Sequence, residues 1–513
     1  MRWRNYERET RGHSCGSGAE NQSGGLVKHP CRNILRIMLY ALLPAFLVAQ
    51  SGWGPDVRLT YRQGYSYDPR AACNGDIVHL VWWEGYVDTM IHEEVFYKRS
   101  TDAGVTWEAD VLLTPEDSIT AVIPSIAVWQ NNVHVVWKEQ TAYYSAICYR
   151  RSENSGGSWG NIDTIYKTSQ DGWYHPWISA RGNAVFIVAI KSGAGGELVF
   201  VKSMDNGSSW STPQIITSAK DQPRIEHSKI DSLFLIVVYG NAPEIYCVRS
   251  FDGGESWSDS QVVSENNGTG SQWAAMDTDD TSGIHITWFD YKYSPYPWTG
   301  DIFYRASRDS GSTWEPIDSL TVMHRAVASD ILAESTNLHL VWEDDRNGFD
   351  DNFEIYYRMS TDLGQTWGTV VRLTDTINWS RRPSLTCDNQ YLHLFWFDLR
   401  DDPSNIVGEI YYKRKMLIGI NETPIVKDIS FGLSINCPTI LRRDFIVHYD
   451  LGENKEGEIN LIDVTGRVIV IFPVHHVSGE FDWVFSKEVQ NGVYFIMLKA
   501  GEQYVTKKVL VVK

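Results

Sequence analysis

One phrase, Ser-x-Asp-x-Gly-x-Ser/Thr-Trp, is written six times along the chain, starting at Ser100, Ser152, Ser203, Ser250, Ser307 and Ser360. Its fixed members are Asp102, Gly104 and Trp107; Asn154, Gly156 and Trp159, where Asn replaces Asp; Asp205, Gly207 and Trp210; Asp252, Gly254 and Trp257; Asp309, Gly311 and Trp314; and Asp362, Gly364 and Trp367. A recurrence of about fifty residues marks a repeat architecture, in which no unit buries its apolar face alone and neighbours must stack.

Each unit reads as four short strands. An apolar stretch, usually opened by Pro (Pro124-Ser125-Ile126-Ala127, Pro383-Ser384-Leu385-Thr386), comes first. An aromatic-aliphatic run follows, as in His79-Leu80-Val81-Trp82 and His393-Leu394-Phe395-Trp396, and then a run ending in basic residues, as in Val95-Phe96-Tyr97-Lys98-Arg99. The phrase is the turn into the fourth strand, such as Trp107–Leu113. Such runs are β-branched and aromatic, and Gly, Asn, Asp and Ser bound them; residues 51–415 show no sustained helical period. In the turn, Asp and Ser side chains accept backbone N–H groups, Gly takes a positive φ, and Trp supplies a large packing face.

The second and third strands occur seven times, the last pair being Leu392–Phe397 and Glu409-Ile410-Tyr411-Tyr412-Lys413-Arg414, with no turn phrase or fourth strand after it. Gly52-Trp53-Gly54-Pro55-Asp56-Val57-Arg58-Leu59-Thr60 matches the fourth strand at Thr366–Thr374 and is expected to complete that last unit. The expected fold is all-β, a seven-bladed β-propeller closed by its N-terminal strand. A linear stack is the alternative, and it has no need of the front strand.

The phrase resembles the Asp box of the BNR-repeat, sialidase-like propellers, across about residues 52–415. That resemblance implies a functional face opposite the boxes, and it covers binding and assembly proteins as well as glycosidases. It also implies, for a sialidase, an arginine cluster for a substrate carboxylate, a Tyr–Glu nucleophile pair and an acid–base Asp. Planar guanidinium groups grip carboxylates with paired bonds, and a Tyr nucleophile is a known exception among glycosidases. The family's Arg-Ile-Pro signature is absent: the matching stretch is Tyr67-Asp68-Pro69-Arg70, Arg381-Arg382-Pro383 lies in the last unit, and Pro223-Arg224-Ile225 has another order. The family's sialidases also have six blades rather than seven.

The catalytic candidates are therefore Arg70, Arg381, Arg382, Asp345, Arg346, Asp398 and Arg400. The recurrence of Trp342–Arg346 and Trp396–Arg400 at equivalent positions also fits plain loop salt bridges. Asp344, Asp350 and Asp351 place hard oxygen ligands close together, a calcium possibility without proper loop spacing; no other cofactor is expected. The second-strand His (His79, His134, His285, His339, His393) recurs five times and reads as core or strand edge, since a catalytic residue is unique.

At the start, Arg32 and Arg36 precede the apolar run Ile37–Ala49, which reads as a signal peptide behind a doubtful extension, residues 1–50 together. The true start is expected near Leu26, Val27 or Met38. At the end, a linker at 419–427 separates the propeller, 51–418, from alternating strands in 428–513, expected to form a small immunoglobulin-like β-sandwich. Asp463-Val464-Thr465-Gly466-Arg467-Val468, Asn491-Gly492-Val493-Tyr494-Phe495 and Thr506–Lys513 resemble the C-terminal sorting domain of type IX secretion substrates. That resemblance implies export to the cell surface or beyond, with the type IX machinery as a partner and membrane contact only through surface anchoring.

With 64 acidic against 46 basic residues, the net charge is −18, which argues against a nucleic-acid partner. Of seven Cys, Cys73 and Cys387 occupy matching positions in the first and last units and read as two buried thiols, a disulfide being the alternative; no zinc spacing is present. The leading expectation is a binder of extracellular glycan or protein ligands through the face opposite the boxes. A sialidase-like glycoside hydrolase and a structural or assembly propeller are the alternatives.

Overall fold

The computed structural model describes residues 52–417 and 434–511, less residues 63, 86–92, 170–171, 173–174, 193–194, 294–299, 323–324, 347–351, 403–406, 437–439, 442–443, 452–455, 464–466, 475–477, 485–491 and 501–502. The extension, the apolar run at 37–49, Asp350, Asp351 and the linker at 419–427 lie outside these residues. Among the described residues no helix occurs, and residues 52–417 form seven four-stranded antiparallel sheets. We number the sheets one to seven by their first strands, Tyr65–Asn74, Thr120–Trp129, Trp177–Arg181, Asp221–His227, Ser271–Thr278, Ala326–Glu334 and Ser380–Cys387. Each first strand touches those of both neighbours, and the cycle closes between Ser380–Cys387 and Tyr65–Asn74, a propeller-like arrangement.

The closing strand is Val57–Arg58, paired to the third strand of sheet seven through Val57↔Tyr412 and Arg58↔Tyr411, with a further bridge Trp53↔Lys415. Thr60 Oγ1 donates to the buried Glu409 carboxylate (2.5 Å) and accepts from Ile410 N–H (2.9 Å). The same clasp recurs at an acid near the start of the third strand in four other sheets: Thr114 with Glu94, Ser264 with Glu244, Thr321 with Asp301 and Thr374 with Glu354. Each hydroxyl also accepts a backbone N–H, so the fourth strand is tied down by side chains where its own ladder is only a few residues long.

The six repeated turns show why their residues recur. Ser100 Oγ accepts the Gly104 N–H (2.8 Å), and Asp102 accepts Thr106 N–H (2.8 Å) and Thr106 Oγ1 (2.6 Å); the other five turns repeat the two backbone bonds, and Asn154 differs only in donating its amide to the Ser158 hydroxyl. The Ser209 hydroxyl holds Asp205 down to about 2, and the Thr313 N–H and hydroxyl do the same for Asp309. Glycine is required twice over. Its φ is positive (Gly156, 79°), and a Cβ there would strike the tyrosine hydroxyl of the preceding sheet. Gly104 faces Tyr412, Gly156 faces Tyr97, Gly207 faces Tyr149 and Gly364 faces Tyr304; in sheet four Phe200 takes this place, and in sheet five Arg249 does.

The turn tryptophans pack edge-on against the same tyrosines: Trp159 on Tyr97 (4.8 Å between ring centres), Trp210 on Tyr149 (4.9 Å) and Trp107 on Tyr412 (5.2 Å). Each tyrosine hydroxyl is held in turn by a second-strand histidine, His79–Tyr97, His134–Tyr149, His285–Tyr304, His339–Tyr357 and His393–Tyr412, at 2.7–2.8 Å. Sheet seven lacks a turn, and Trp53 from the closing strand fills the role, packing on Tyr357 at 5.3 Å. Cys73, Cys148, Cys247 and Cys387 are free thiols.

Residues 434–511 form a three-stranded and a five-stranded sheet around one core that includes Val447, Leu451, Ile459, Leu461, Ile496, Leu498 and Val511. Gly492–Ala500 lies between Gly457–Asp463 and Gln503–Val511, at the centre of the five-stranded sheet. The strands read around Phe445, Ile459, Val468, Val493 and Lys508 are present, and Ser434–Asn436, Ile440–Leu441 and Ser478–Val484 add to them.

Gly156→Ala should destabilise the protein by at least about 1–2 kcal/mol from the left-handed backbone alone. Chemical denaturation should show a smaller loss in a Tyr97→Phe background, where the hydroxyl it strikes is gone. Burial pushes His79, His134 and His339 down to about 3. These rings stay neutral when folded but take up protons when unfolded below about 6.5, so stability falls as pH drops through that window. Urea midpoints measured at pH 7, 5 and 4 should decline in that order.

Candidate functional site

The first strands carry the feature that builds a site. In six of the seven sheets the ladder between first and second strands slips, at Tyr67/Arg70, Val122/Ser125, Asp221/Arg224, Gln272/Ala275, Val327/Ser329 and Arg381/Ser384. Asp68, Ile123, Trp273, Ala328 and Arg382 sit in these slips with φ of 54°, 58°, 51°, 39° and 56°. Non-glycine residues rarely adopt this region, and bulges of this kind re-aim side chains. All six lie toward the strand end away from the repeated turns, since Tyr65 pairs with Gly85 there while Asn74 pairs with Ile77 at the turn side.

Just beyond the slip, the register places Arg70, Ser125, Trp177, Arg224, Ala275, Asp330 and Ser384 at one level of the seven first strands. Interactions at this level cross between sheets that are not neighbours. Arg224 Nη1 of sheet four pairs with Asp330 Oδ1 of sheet six at 2.6 Å, passing Ala275 of sheet five. Arg224 also lies over the Trp177 ring (4.4 Å), as does Arg70 (5.5 Å). At the slip level Arg382 of sheet seven reaches the Trp273 ring of sheet five (4.4 Å) past Ala328, and its Nε donates to Tyr67 Oη (3.2 Å). Arg70 Nη2 pairs with Asp68 at 3.0 Å. The result is an axial cluster, the chamber of the ring, in which three half-buried guanidinium groups meet two carboxylates, Asp68 buried and Asp330 half-buried, and three half-buried aromatic rings, Tyr67, Trp177 and Trp273.

Burial pulls Arg70 below its ordinary value, with Asp68 opposing that and Arg224 adding to it. Burial works against the Arg382 charge too, but Tyr67, Asp68 and Glu343 outweigh it and hold the guanidinium above its usual value. Burial pushes Asp221, within electrostatic reach of Arg382, up to about 6, and drives His175 down to about 4, so that ring is neutral at pH 7. Toward the turn side, Lys229 Nζ crosses from sheet four to Ala333 O of sheet six (2.6 Å) and pairs with Asp277 (3.2 Å).

Of the sequence candidates, Arg70 and Arg382 meet in this chamber. Arg381 does not join them, because its fork grips the buried Glu343 of sheet six (2.7 and 3.1 Å) and packs on Phe353. Arg346 bonds Asp344 two residues back, Arg400 bonds Asp398 (2.6 Å) and Asp56 (2.6 Å), and Asp345 is buried against Arg325 (2.7 Å). These pairs stay within a sheet's own loops, and Trp342 and Trp396 donate their indole N–H groups to Asp344 and Asp398. Asp344 is thus fully engaged by protein donors. Among the described residues no cluster of His, Cys, Asp and Glu is arranged to hold a metal ion.

In the sequence Arg224 stands only as the middle of Pro223-Arg224-Ile225, and Asp330, Trp177 and Trp273 belong to no motif. The one signal was the repeated first-strand Pro: the residue before it is the slipped residue at Asp68, Ile123 and Arg382.

No family model matches the chain, and no curated protein matches it. Solved structures similar to it include the phage phi92 endosialidase (11% identity, TM-score 0.44, 90% of this chain and 87% of that one). The NanB sialidase from Streptococcus pneumoniae is similar at 11% identity and TM-score 0.42, over 71% of this chain and 70% of that one. Polysaccharide lyase Uly1 is similar at 9% identity and TM-score 0.47, over 72% of this chain and all of that one.

Arg381→Ala should destabilise the fold by about 3–5 kcal/mol, because it strands the buried Glu343 carboxylate, whereas Arg382→Gln should leave the denaturation midpoint close to wild type.

Proposed function

We propose that the protein is a seven-bladed, Asp-box propeller that binds an anionic glycan in its axial chamber, on the face opposite the repeated turns. The observation that carries this reading is the convergence of Arg70, Arg224 and Arg382 on the rings of Trp177, Trp273 and Tyr67 at the inner strands. Guanidinium forks recognise carboxylate and sulfate oxygens, and aromatic faces take the apolar face of a sugar ring. A pocket with a few convergent polar groups on an aromatic lining is the expected form of a small-ligand site. We further propose that the apolar run at 37–49 is a signal peptide and that residues 428–513 form an immunoglobulin-like sorting module for type IX export; both rest on the sequence.

A second reading, a sialidase-like hydrolase, is favoured by one observation: Tyr67 lies against the Arg382 guanidinium, where a nucleophilic phenol would sit beside a gripped carboxylate. A glycan array and a fluorogenic glycoside panel, run on the full chain, separate the two. Binding without turnover supports the first; sialoside turnover lost in Tyr67→Phe supports the second.

Arg382→Gln should weaken anionic glycan binding about 10–100-fold, the range of one hydrogen bond to a charged group. Affinity should also rise as pH falls from 7 to 5, because Asp221, pushed up to about 6, then loses the charge that opposes a ligand anion. Calorimetric titration at the two pH values checks this, and an affinity that falls over that interval would contradict it.

A further inference from the structure

The chamber's three arginines are not equivalent. Arg70 is paired with Asp68 of its own sheet, and Arg224 with Asp330 across the axis. The Arg382 side chain donates to the Tyr67 hydroxyl and makes no ion pair among the described residues. Asp330 is also held independently of Arg224. Its second oxygen accepts the Leu385 N–H at 2.8 Å, so a backbone group of sheet seven keeps the carboxylate aimed at the axis. Side chain and partner are comparably sheltered, at 14% and 13% exposure, so the pair is neither a surface ion pair nor sealed from ligand. Sheet five supplies only the Ala275 methyl at this level, and that gap lets the pair form.

We infer that Asp330 is a specificity-determining residue: it occupies Arg224 as an internal anion, leaves Arg382 as the single anchoring guanidinium, and so selects a glycan unit carrying one carboxylate or one sulfate over a unit carrying two. The inference rests on the reading of the chamber as an anionic-glycan site. A second anion on the same sugar would meet the Asp330 carboxylate, and like charges held at close range in a half-buried site repel strongly. Asp330→Asn removes that charge while keeping an acceptor for Leu385 N–H, and it frees the Arg224 fork.

The test is titration calorimetry of the full chain, as wild type, Asp330→Asn and Arg382→Gln. The probes are a glucuronate-terminated disaccharide, a singly sulfated galactose-terminated disaccharide, and a sulfated glucuronate disaccharide that carries both anions on one ring. The first two probes separate carboxylate from sulfate as the anchored group. Wild type should bind its preferred singly charged probe at least tenfold more tightly than the doubly charged one. Asp330→Asn should tighten the doubly charged probe at least tenfold and leave the singly charged probes within threefold. Arg382→Gln should weaken all three. A folded Asp330→Asn that leaves the doubly charged probe unchanged or weaker, while Arg382→Gln still loses binding, overturns the role of Asp330 and spares the anion site. Wild type binding none of the probes, or Arg382→Gln losing nothing, overturns the anion site and this inference with it. Asp330→Ser, which also removes the charge, carries the same expectations if the Asn variant does not fold.

Discussion

A tyrosine hydroxyl pressed against a glycine that cannot carry a side chain sets the spacing between neighbouring sheets, and the ring depends on that contact. The second-strand histidine fixes the hydroxyl, the turn glycine leaves room for it, and the turn tryptophan closes over the ring edge. The His–Tyr pair belongs to one sheet and the Gly–Trp pair to the next, so the repeat makes sense only across the junction. The buried histidines stay neutral because ionising them would place a charge where no solvent reaches.

Much of this was open to reading from the residues. The recurrence of Gly104, Gly156, Gly207 and Gly364 announced turns, and the likeness of Trp53–Thr60 to Trp367–Thr374 announced a strand that returns to pair with the last sheet. The partner of the turn tryptophan was not legible, because contact across a junction leaves no local period. The recurrent His reads as core or strand edge, and the structure buries all five in the core; its bond to tyrosine leaves no mark in the sequence.

The chamber was legible only in fragments. Arg70 and Arg382 stand out as basic residues beside Pro69 and Pro383, but their placement depends on slips in their own two ladders, and the contacts across the axis depend on the smallness of Ala275 and Ala328. Those alanines carry no chemistry, and their contribution is empty space. Charged pairs that looked alike in the sequence also divide by environment. Arg381 is consumed by a buried carboxylate and supports the fold, while the adjacent Arg382, in a left-handed slip, turns inward to a phenol.

The closing strand has a mechanical consequence. Its ladder is two residues long, Val57 and Arg58, with the single Trp53 bridge beside it, yet it supplies the Thr60 clasp, the Leu59 carbonyl that Lys98 of sheet one grips (2.7 Å), and the Trp53 face. Both its entry at Trp53 and the exit of sheet seven at Met416 lie on the rim that bears the turns. A pull applied to the two ends of the ring therefore loads that short seam first and peels it bond by bond, while the opposite rim, where Arg382 waits, stays slack until the seam gives way.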